Sequence, residues 1–454
     1  MVNSDYDILK DWMFGKLTSL LENIDPNPKY PVLKMSLGEP TLGVPNFTKI
    51  ILDSNYDEWA KYPPSEAIPS FGDSILNYIK RRYPSAEKLI KLNKNIVPVP
   101  GTREPLHLIG LLAKNLKIGE TTALVTNPFY HAWLAGSISS GSKIYWLNSL
   151  SENNYLPDIS NLPENLLNSS VIMYICTPSN PHGSIADLDY LKKAILLARK
   201  YKFILAIDEC YSDIYRMNRT KPPGGLEAAA SLGQSLENLI IFNSLSKRSN
   251  ACGMRAGFIA GDENIIEKYK LLVSNGASPV PIPIQKVAGA MYDDDDHQIK
   301  ACLHYDKNFE IVEKFLKPFY KDFKIPDGGF FLWLKVNDDQ KAAKVLWEKF
   351  SLRVMPGSFM AKNVNGTNPG KGFLRISLVD QKDVIEETMK SIPLVSQCML
   401  VGDNRKFCSA LITLDVGAIL RDKHGLDGAT EVPKDPNEQI AKLEALGSKL
   451  SDYT

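Results

Sequence analysis

What this 454-residue chain lacks narrows its function before any motif is read. It has no excess of charge: 53 Lys+Arg stand against 52 Asp+Glu, a formal net charge of +1. Such a balance supplies no field to draw in nucleic acid or an anionic membrane surface, so neither is expected as a partner. Its opening, Met1-Val2-Asn3-Ser4-Asp5-Tyr6-Asp7, carries acids and no basic run ahead of an apolar stretch, unlike a secretory leader. No uninterrupted apolar run reaches the roughly 20 residues that span a bilayer. Six cysteines are scattered without a CxxC pair or tight spacing. That suits reduced thiols in a cytoplasmic enzyme better than a disulfide framework. The acidic run Asp293–Asp296 reads as a solvated helix edge, because adjacent acids on one loop seldom converge on an ion. No metal is expected.

What is present is a large globular core. The chain is 44% hydrophobic and 23% charged, and its length predicts more than one domain. Leu9, Met13, Leu17, Leu20 and Leu21 recur at helical spacing and predict an amphipathic N-terminal helix. From about Ile96, short apolar runs alternate with helical patterns: Thr122–Val125, Ser170–Cys176, Phe203–Ile207, Leu239–Phe242 and Ala256–Ala260. Runs of this kind predict an α/β fold, a mostly parallel sheet covered on both faces. After about Asp306 the pattern changes to a helix over Lys307–Phe319, the turn Pro326-Asp327-Gly328-Gly329, and strands over Phe330–Val336 and Gly372–Leu378. This predicts a smaller α+β domain. The expected division is 1–45 (an N-terminal arm and part of the small domain), 46–305 (the large domain), 306–392 (the small domain) and a tail from 393 to 454.

Ligands of parallel α/β sheets bind beyond the carboxyl ends of the strands, so the polar residues after each run are the place to look for chemistry. Ser244-Leu245-Ser246-Lys247-Arg248, followed by Gly253-Met254-Arg255, is the strongest motif. A lysine just past a strand, between small hydroxyl residues, suits a Schiff-base nucleophile if it is partly desolvated and close to another cation. Arg255 supplies such a cation and can clamp a phosphate. Taken alone, the same stretch fits a surface lysine in a polar loop equally well. Asp208, in Ile207-Asp208-Glu209-Cys210-Tyr211, can pair with a protonated pyridine nitrogen or simply cap the next helix. Pro178-Ser179-Asn180-Pro181-His182-Gly183 has turn chemistry whatever else it does. Gly101-Thr102-Arg103 precedes a helical pattern whose N-terminal N–H groups would favour a phosphate. Tyr130, in Asn127-Pro128-Phe129-Tyr130, offers a face for a planar ring or for ordinary core packing.

In this order along the chain the motifs resemble the aspartate aminotransferase type, or fold-type I, of pyridoxal-phosphate (PLP) enzymes, over roughly residues 5–392. The resemblance implies a seven-stranded, mostly parallel large domain, a small α+β domain, and PLP as cofactor. It also implies roles. Lys247 carries the cofactor and shuttles the proton between the substrate α-carbon and cofactor C4′. Asp208 pairs with the pyridine nitrogen, Tyr211 and Asn180 bond the ring oxygen, and Tyr130 stacks on the ring. Thr102, Arg103, Ser244 and Arg255 hold the phosphate. Tyr62, in Lys61-Tyr62-Pro63-Pro64, resembles the tyrosine that reaches a neighbouring subunit's phosphate, which implies a homodimer. Arg375, in Phe373-Leu374-Arg375-Ile376-Ser377, matches the arginine that grips the substrate α-carboxylate. Asn180 also faces the substrate, and Gly38 lies where the substrate closes against backbone.

Three further stretches are similar to the bacterial N-succinyldiaminopimelate aminotransferases: Leu245-Ser246-Lys247-Arg248-Ser249-Asn250, Pro222-Pro223-Gly224-Gly225-Leu226-Glu227-Ala228-Ala229 and Val354-Met355-Pro356-Gly357-Ser358. This implies exchange of an amino group between N-succinyl-LL-2,6-diaminopimelate and 2-oxoglutarate, a step of lysine biosynthesis. The region where aspartate aminotransferases carry a second arginine, Ser274–Gln285, has no arginine or lysine until Lys286. Two positions depart from the family pattern, Ala67 and His182; the latter reads as a turn residue rather than a base.

Rival readings on the same scaffold are an aromatic or broad-specificity aminotransferase and a β-eliminating lyase. A non-catalytic sensor half of a transcription regulator is opposed by the near-zero charge and the absence of an N-terminal DNA-binding segment. From about Ser391 the pattern ends. Ser396–Leu414 resembles a C-terminal fragment of bubblegum-type long-chain acyl-CoA synthetases, without that family's adenylate-binding loop. The tail is therefore expected to be dispensable for catalysis.

Overall fold

The computed structural model describes residues 4–10, 12–233, 235–317, 323–390, 420–421, 423–426, 431–433 and 435–447. Among these residues, ten strands follow in chain order: β1 (Ile96–Val99), β2 (Thr122–Asn127), β3 (Lys143–Asn148), β4 (Ser170–Cys176), β5 (Ile204–Asp208), β6 (Leu239–Ser244), β7 (Gly257–Gly261), β8 (Phe331–Lys335), β9 (Met355–Pro356) and β10 (Phe373–Ser377). The first seven form one sheet in the order β1-β7-β6-β5-β4-β2-β3. The neighbours from β6 to β3 pair in parallel, while β7 runs antiparallel to both β6 and β1. The last three form a separate antiparallel sheet, β8-β10-β9.

Period-two alternation splits the large sheet between two cores. In β6, Leu239 and Ile241 face one cluster, while Ile240 and Phe242 face the other. Helices Pro69–Arg82, Leu188–Tyr201 and Ile282–Asp293 cover the first face, and helices Arg103–Ala113, Glu263–Gly276 and Asp296–Leu316 the second. Each fully buried large side chain there contributes about 1.5–3 kcal/mol relative to exposure. The mostly parallel seven-stranded sheet expected from sequence is observed. The strand β3 was not legible: it lies at the sheet edge, and its Lys143 and Tyr145 are exposed, so it carries no continuous apolar run.

The predicted helix over Lys307–Phe319 starts eleven residues earlier, as Asp296–Leu316. Its first half packs Ala301 and Tyr305 against the large sheet, and its second half packs Phe309, Val312 and Leu316 into the small-sheet core. One helix thus serves both cores. Met35 joins the small-sheet core from the N-terminal segment, and Leu17 and Leu21 of helix Met13–Leu21 pack on Met355 and Met360. The acidic run Asp293–Asp296 is not merely a solvated edge. Asp293 accepts from the Ser74 hydroxyl at 2.6 Å, Asp294 pairs with His297 at 2.7 Å, and Asp295 pairs with Arg81 and Arg248. Arginines brought in from distant positions made this difference. Among the described residues, no helix is long and apolar enough to cross a membrane. The acyl-CoA synthetase-like stretch Ser396–Leu414 lies outside the described residues. Farther along, Ile440 and Leu443 of helix Pro436–Ala445 pack with Leu420, Leu426 and Val432.

Candidate active site

Parallel neighbours end on the same edge of a sheet, so the residues after β2, β4, β5 and β6 converge. They line a cavity of about 320 Å³. Cys176 and Asp208, the last residues of β4 and β5, are register partners there. Lys247 lies on the four-residue helix Leu245–Arg248 that continues directly from β6. Its amine donates to the Gly38 carbonyl, lies 3.7 Å from Cys252 Sγ, and sits 5.8 Å from the Phe330 ring centre.

Asp208 is buried, and burial pushes its carboxyl up to about 6, opposed by hydrogen bonds from Cys210. The Cys210 backbone N–H donates to it at 3.2 Å. Among the described residues, no cationic side chain forms an ion pair with it within 4 Å. A carboxylate in that state gains most from a cationic partner delivered by a ligand. Tyr130 and Tyr211 also line the cavity, and burial pushes both phenols up, which keeps them neutral. Phe330 and Phe331 meet the Tyr211 ring edge to face and fix its plane.

At the other end, Gly101 adopts φ +72°, a left-handed conformation that glycine takes without strain. A Cβ there would lie 2.5 Å from Arg255 Nη2, so the missing side chain is what admits the guanidinium. Arg255, itself at φ +56°, donates to the Cys252 and Pro100 carbonyls, each at 3.0 Å. Thr102 leads into helix Arg103–Ala113, and its hydroxyl caps no backbone N–H. Arg103 Nε donates to the Tyr130 hydroxyl at 3.1 Å. Two guanidinium groups, a free hydroxyl and a helix N-terminus thus face one corner, a donor set suited to a phosphate.

Arg375, on β10, is 2% exposed. Its Nη1 donates to Asn180 Oδ1 at 3.0 Å and its Nη2 to the Ser36 carbonyl at 2.6 Å, while Nε has no partner. Its guanidinium stacks 4.4 Å from the Phe331 ring centre. Burial pushes its pKa down to about 10, so it stays charged at neutral pH without a carboxylate beside it. A buried cation in this condition is ready for an anionic ligand.

Of the residues singled out in the sequence, Gly38, Thr102, Arg103, Tyr130, Asn180, Asp208, Tyr211, Lys247, Arg255 and Arg375 line the one cavity. Ser244 does not. Its buried hydroxyl caps the Lys247 helix, accepting from Ser246 N–H at 3.1 Å, and Ser246 lines the cavity in its place. Tyr62 is fully exposed and lies outside the cavity. His182 also lies outside, stacked 4.6 Å from Tyr155, and burial pushes its imidazole down to about 3. Sequence reasoning passed over Cys176, Cys210 and Cys252, whose scattered positions hid their convergence. It also passed over Met13, Phe14 and Phe331, which read as plain core; their helical and strand periods carried no other signal.

The residues present fit pyridoxal phosphate. An unpaired buried carboxylate suits the pyridine nitrogen, a phosphate corner exists because Gly101 has no Cβ, a lysine amine is present, and a buried guanidinium waits for a carboxylate. The comparisons agree with that fit. The sequence profile of the class I and II aminotransferases matches residues 30–392. An LL-diaminopimelate aminotransferase of Dehalococcoides mccartyi is 27% identical over 364 residues, covering 78% of this chain and 89% of that protein. Among solved structures, an aminotransferase of Neisseria meningitidis superposes with a TM-score of 0.81 at 33% identity, covering 86% of this chain and 99% of that one. A probable N-succinyldiaminopimelate aminotransferase of Thermus thermophilus shares the fold, with a TM-score of 0.69 at 19% identity over 86% of this chain and 99% of its own.

Proposed function

The chain belongs to the class I and II aminotransferase family, whose members depend on pyridoxal phosphate, and we propose that it moves an amino group from N-succinyl-LL-2,6-diaminopimelate to 2-oxoglutarate or back. The observation that carries the aminotransferase chemistry is the convergence of Lys247, Asp208 and Arg375 on one cavity. When bound, the cofactor supplies an electron sink for the pair released as the substrate α-C–H bond breaks.

The chain's own residues do the rest. Lys247 Nζ would anchor the cofactor, then take the proton from the substrate α-carbon and deliver it to cofactor C4′. Asp208 holds a proton at the pyridine nitrogen, and its buried setting strengthens that pairing. Tyr211 and Asn180 would donate to the ring oxygen, and Tyr130 would offer its face to the ring. Thr102, Arg103 and Arg255 fix the phosphate, helped by Ser246 where Ser244 had been expected. Arg375 orients the α-carboxylate, so that the α-C–H bond points at Lys247. Met13, Phe14 and Leu37 line the same cavity. Tyr62, on the exposed face, serves the phosphate of a second subunit in a homodimer, for which sedimentation velocity is the direct measurement.

Two observations support the substrate assignment: the motif similarity, and an apolar wall of Met13, Phe14, Leu37 and Met360 along which a methylene chain can lie. The relatives' name, LL-diaminopimelate aminotransferase, shares the diamino acid but not its succinyl group. The same wall, extended by Phe129, favours an aromatic or broad-specificity aminotransferase as the second reading. The test is the visible spectrum of the purified protein before and after glutamate, beside Lys247→Ala. A yellow band that glutamate bleaches, absent from the variant, is the expected result. No band after PLP is supplied overturns the assignment. Relative kcat/KM on the succinylated diamino acid, LL-diaminopimelate and phenylalanine then separates the substrate readings, and pyruvate with ammonia in place of a new amino acid would mark a lyase.

A further inference from the structure

The residue after Lys247 is the hub of a buried ion network. Arg248 is 2% exposed, and its Nε lies 3.2 Å from Asp213 Oδ2, an ion-pair contact without hydrogen-bond alignment. Its Nη2 bonds Asp295 Oδ1 at 2.5 Å, and its Nη1 donates to the Asp294 carbonyl at 3.3 Å. Asp213 is held in turn by Arg82 at 3.1 Å and by the Tyr78 hydroxyl at 2.8 Å. Asp295 is held from its far side by Arg81 at 3.1 Å. A second tie runs from Ser249, whose hydroxyl lies 2.7 Å from His297 Nε2, while His297 Nδ1 meets Asp294 at 2.7 Å.

These contacts join three pieces of chain. Asp213 lies in the loop that follows β5, two residues beyond Tyr211. Arg248 and Ser249 close the turn that presents Lys247. Asp294 and Asp295 belong to the corner between helices Ile282–Asp293 and Asp296–Leu316. Through Arg248, the lysine turn is therefore tied both to Asp213, in the segment after Asp208 and Tyr211, and to Asp295 at the helix corner.

We propose that Arg248, through Asp213 and Asp295, is a positioning residue. It fixes the Lys247 amine relative to Asp208 and Tyr211, and the acidic corner exists to hold it. The inference rests on Lys247 being the cofactor lysine, so its failure must be separable from the failure of that reading. Displacement of a catalytic group by about 1 Å can lower turnover 100-fold while leaving substrate recognition alone. A lysine at 248 keeps one charge but cannot fork between two carboxylates.

The experiment uses full-length protein carrying Arg248→Lys, Asp295→Asn or Asp295→Glu, each saturated with PLP. The readouts are the visible circular dichroism per bound cofactor, the rate at which the Lys247-dependent band forms, and kcat and KM for the amino donor. Arg248→Lys and Asp295→Asn are expected to lower kcat about 10- to 100-fold with KM within about threefold, and to shrink the visible dichroism. Asp295→Glu is expected to recover most of both. Asp295 is half exposed, so its variants report even if Arg248→Lys does not fold. Normal dichroism and kcat per bound cofactor in Asp295→Asn would overturn the proposal, reducing the network to stability alone. A parent protein with no Lys247-dependent band would overturn the cofactor reading instead.

Discussion

Replacing Arg375 measures what the buried guanidinium gives the substrate apart from what it gives the fold. In the structure its Nη atoms serve Asn180 Oδ1 and the Ser36 carbonyl, and its Nε is unpartnered. A substrate carboxylate would take two charge-assisted hydrogen bonds, worth about 1.5–3 kcal/mol each. Arg375→Met loses both, about 3–6 kcal/mol, or roughly 10²- to 10⁴-fold in kcat/KM. Arg375→Lys keeps a charge but loses the fork, so it should lose about half of that energy, roughly 10- to 150-fold. The fold should respond far less. Methionine leaves two acceptors short of a donor, at about 1–3 kcal/mol each, but removes a buried charge whose desolvation already lowers its pKa to about 10. The assay is the single-turnover rate with amino donor under kcat/KM conditions, alongside cofactor affinity and thermal midpoint. The reasoning fails if Arg375→Met keeps kcat/KM within tenfold, or if PLP affinity falls in parallel with activity.

Asp208→Asn should change stability with opposite signs in the two forms of the protein. A carboxyl raised from 3.8 to about 6 binds protons more tightly folded than unfolded, so its penalty on folding is absent below about pH 4 and complete above about pH 6. Cofactor-free Asp208→Asn should therefore match the parent near pH 4 and exceed it at pH 7 by at most about 3 kcal/mol. PLP should invert that order, because asparagine cannot pair with a protonated pyridine; thermal denaturation at both pH values, with and without PLP, checks it. Borohydride reduction followed by peptide mapping should leave the cofactor on Lys247 and on no other lysine. A variant ending at Pro393 should retain turnover within about twofold, and a tenfold loss would show that the tail serves catalysis.

Much of the site was legible because its chemistry follows strand ends, and strand ends are local. Asp208 after Ile204–Ile207, Lys247 after Leu239–Ser244, and Thr102 before the Arg103–Ala113 helix each announce themselves within a few residues. The order of those motifs also carried the sheet: hydrophobic runs of four to seven residues between helical patterns have one common solution. Hydroxyl roles were less legible. Ser244 and Ser246 differ by two positions, and only the backbone path shows that the first is consumed as a cap.

Short-range commitments were written in the chain: alternating cores, a lysine just past a strand, and a Gly-Thr-Arg step into a helix N-terminus. The tertiary structure decided every pairing whose partners lie far apart in the chain. Arg375 meets Asn180 across 195 positions, and Arg248 meets Asp295 across 47. Three scattered thiols arrive at one cavity, and an acidic run that looked solvated becomes the anchor of two arginines. The physical reason is range. Backbone hydrogen bonds and side-chain periodicity act over a few residues and leave their mark in the sequence, whereas an ion pair is chosen by where packed helices and sheets finally set their charges.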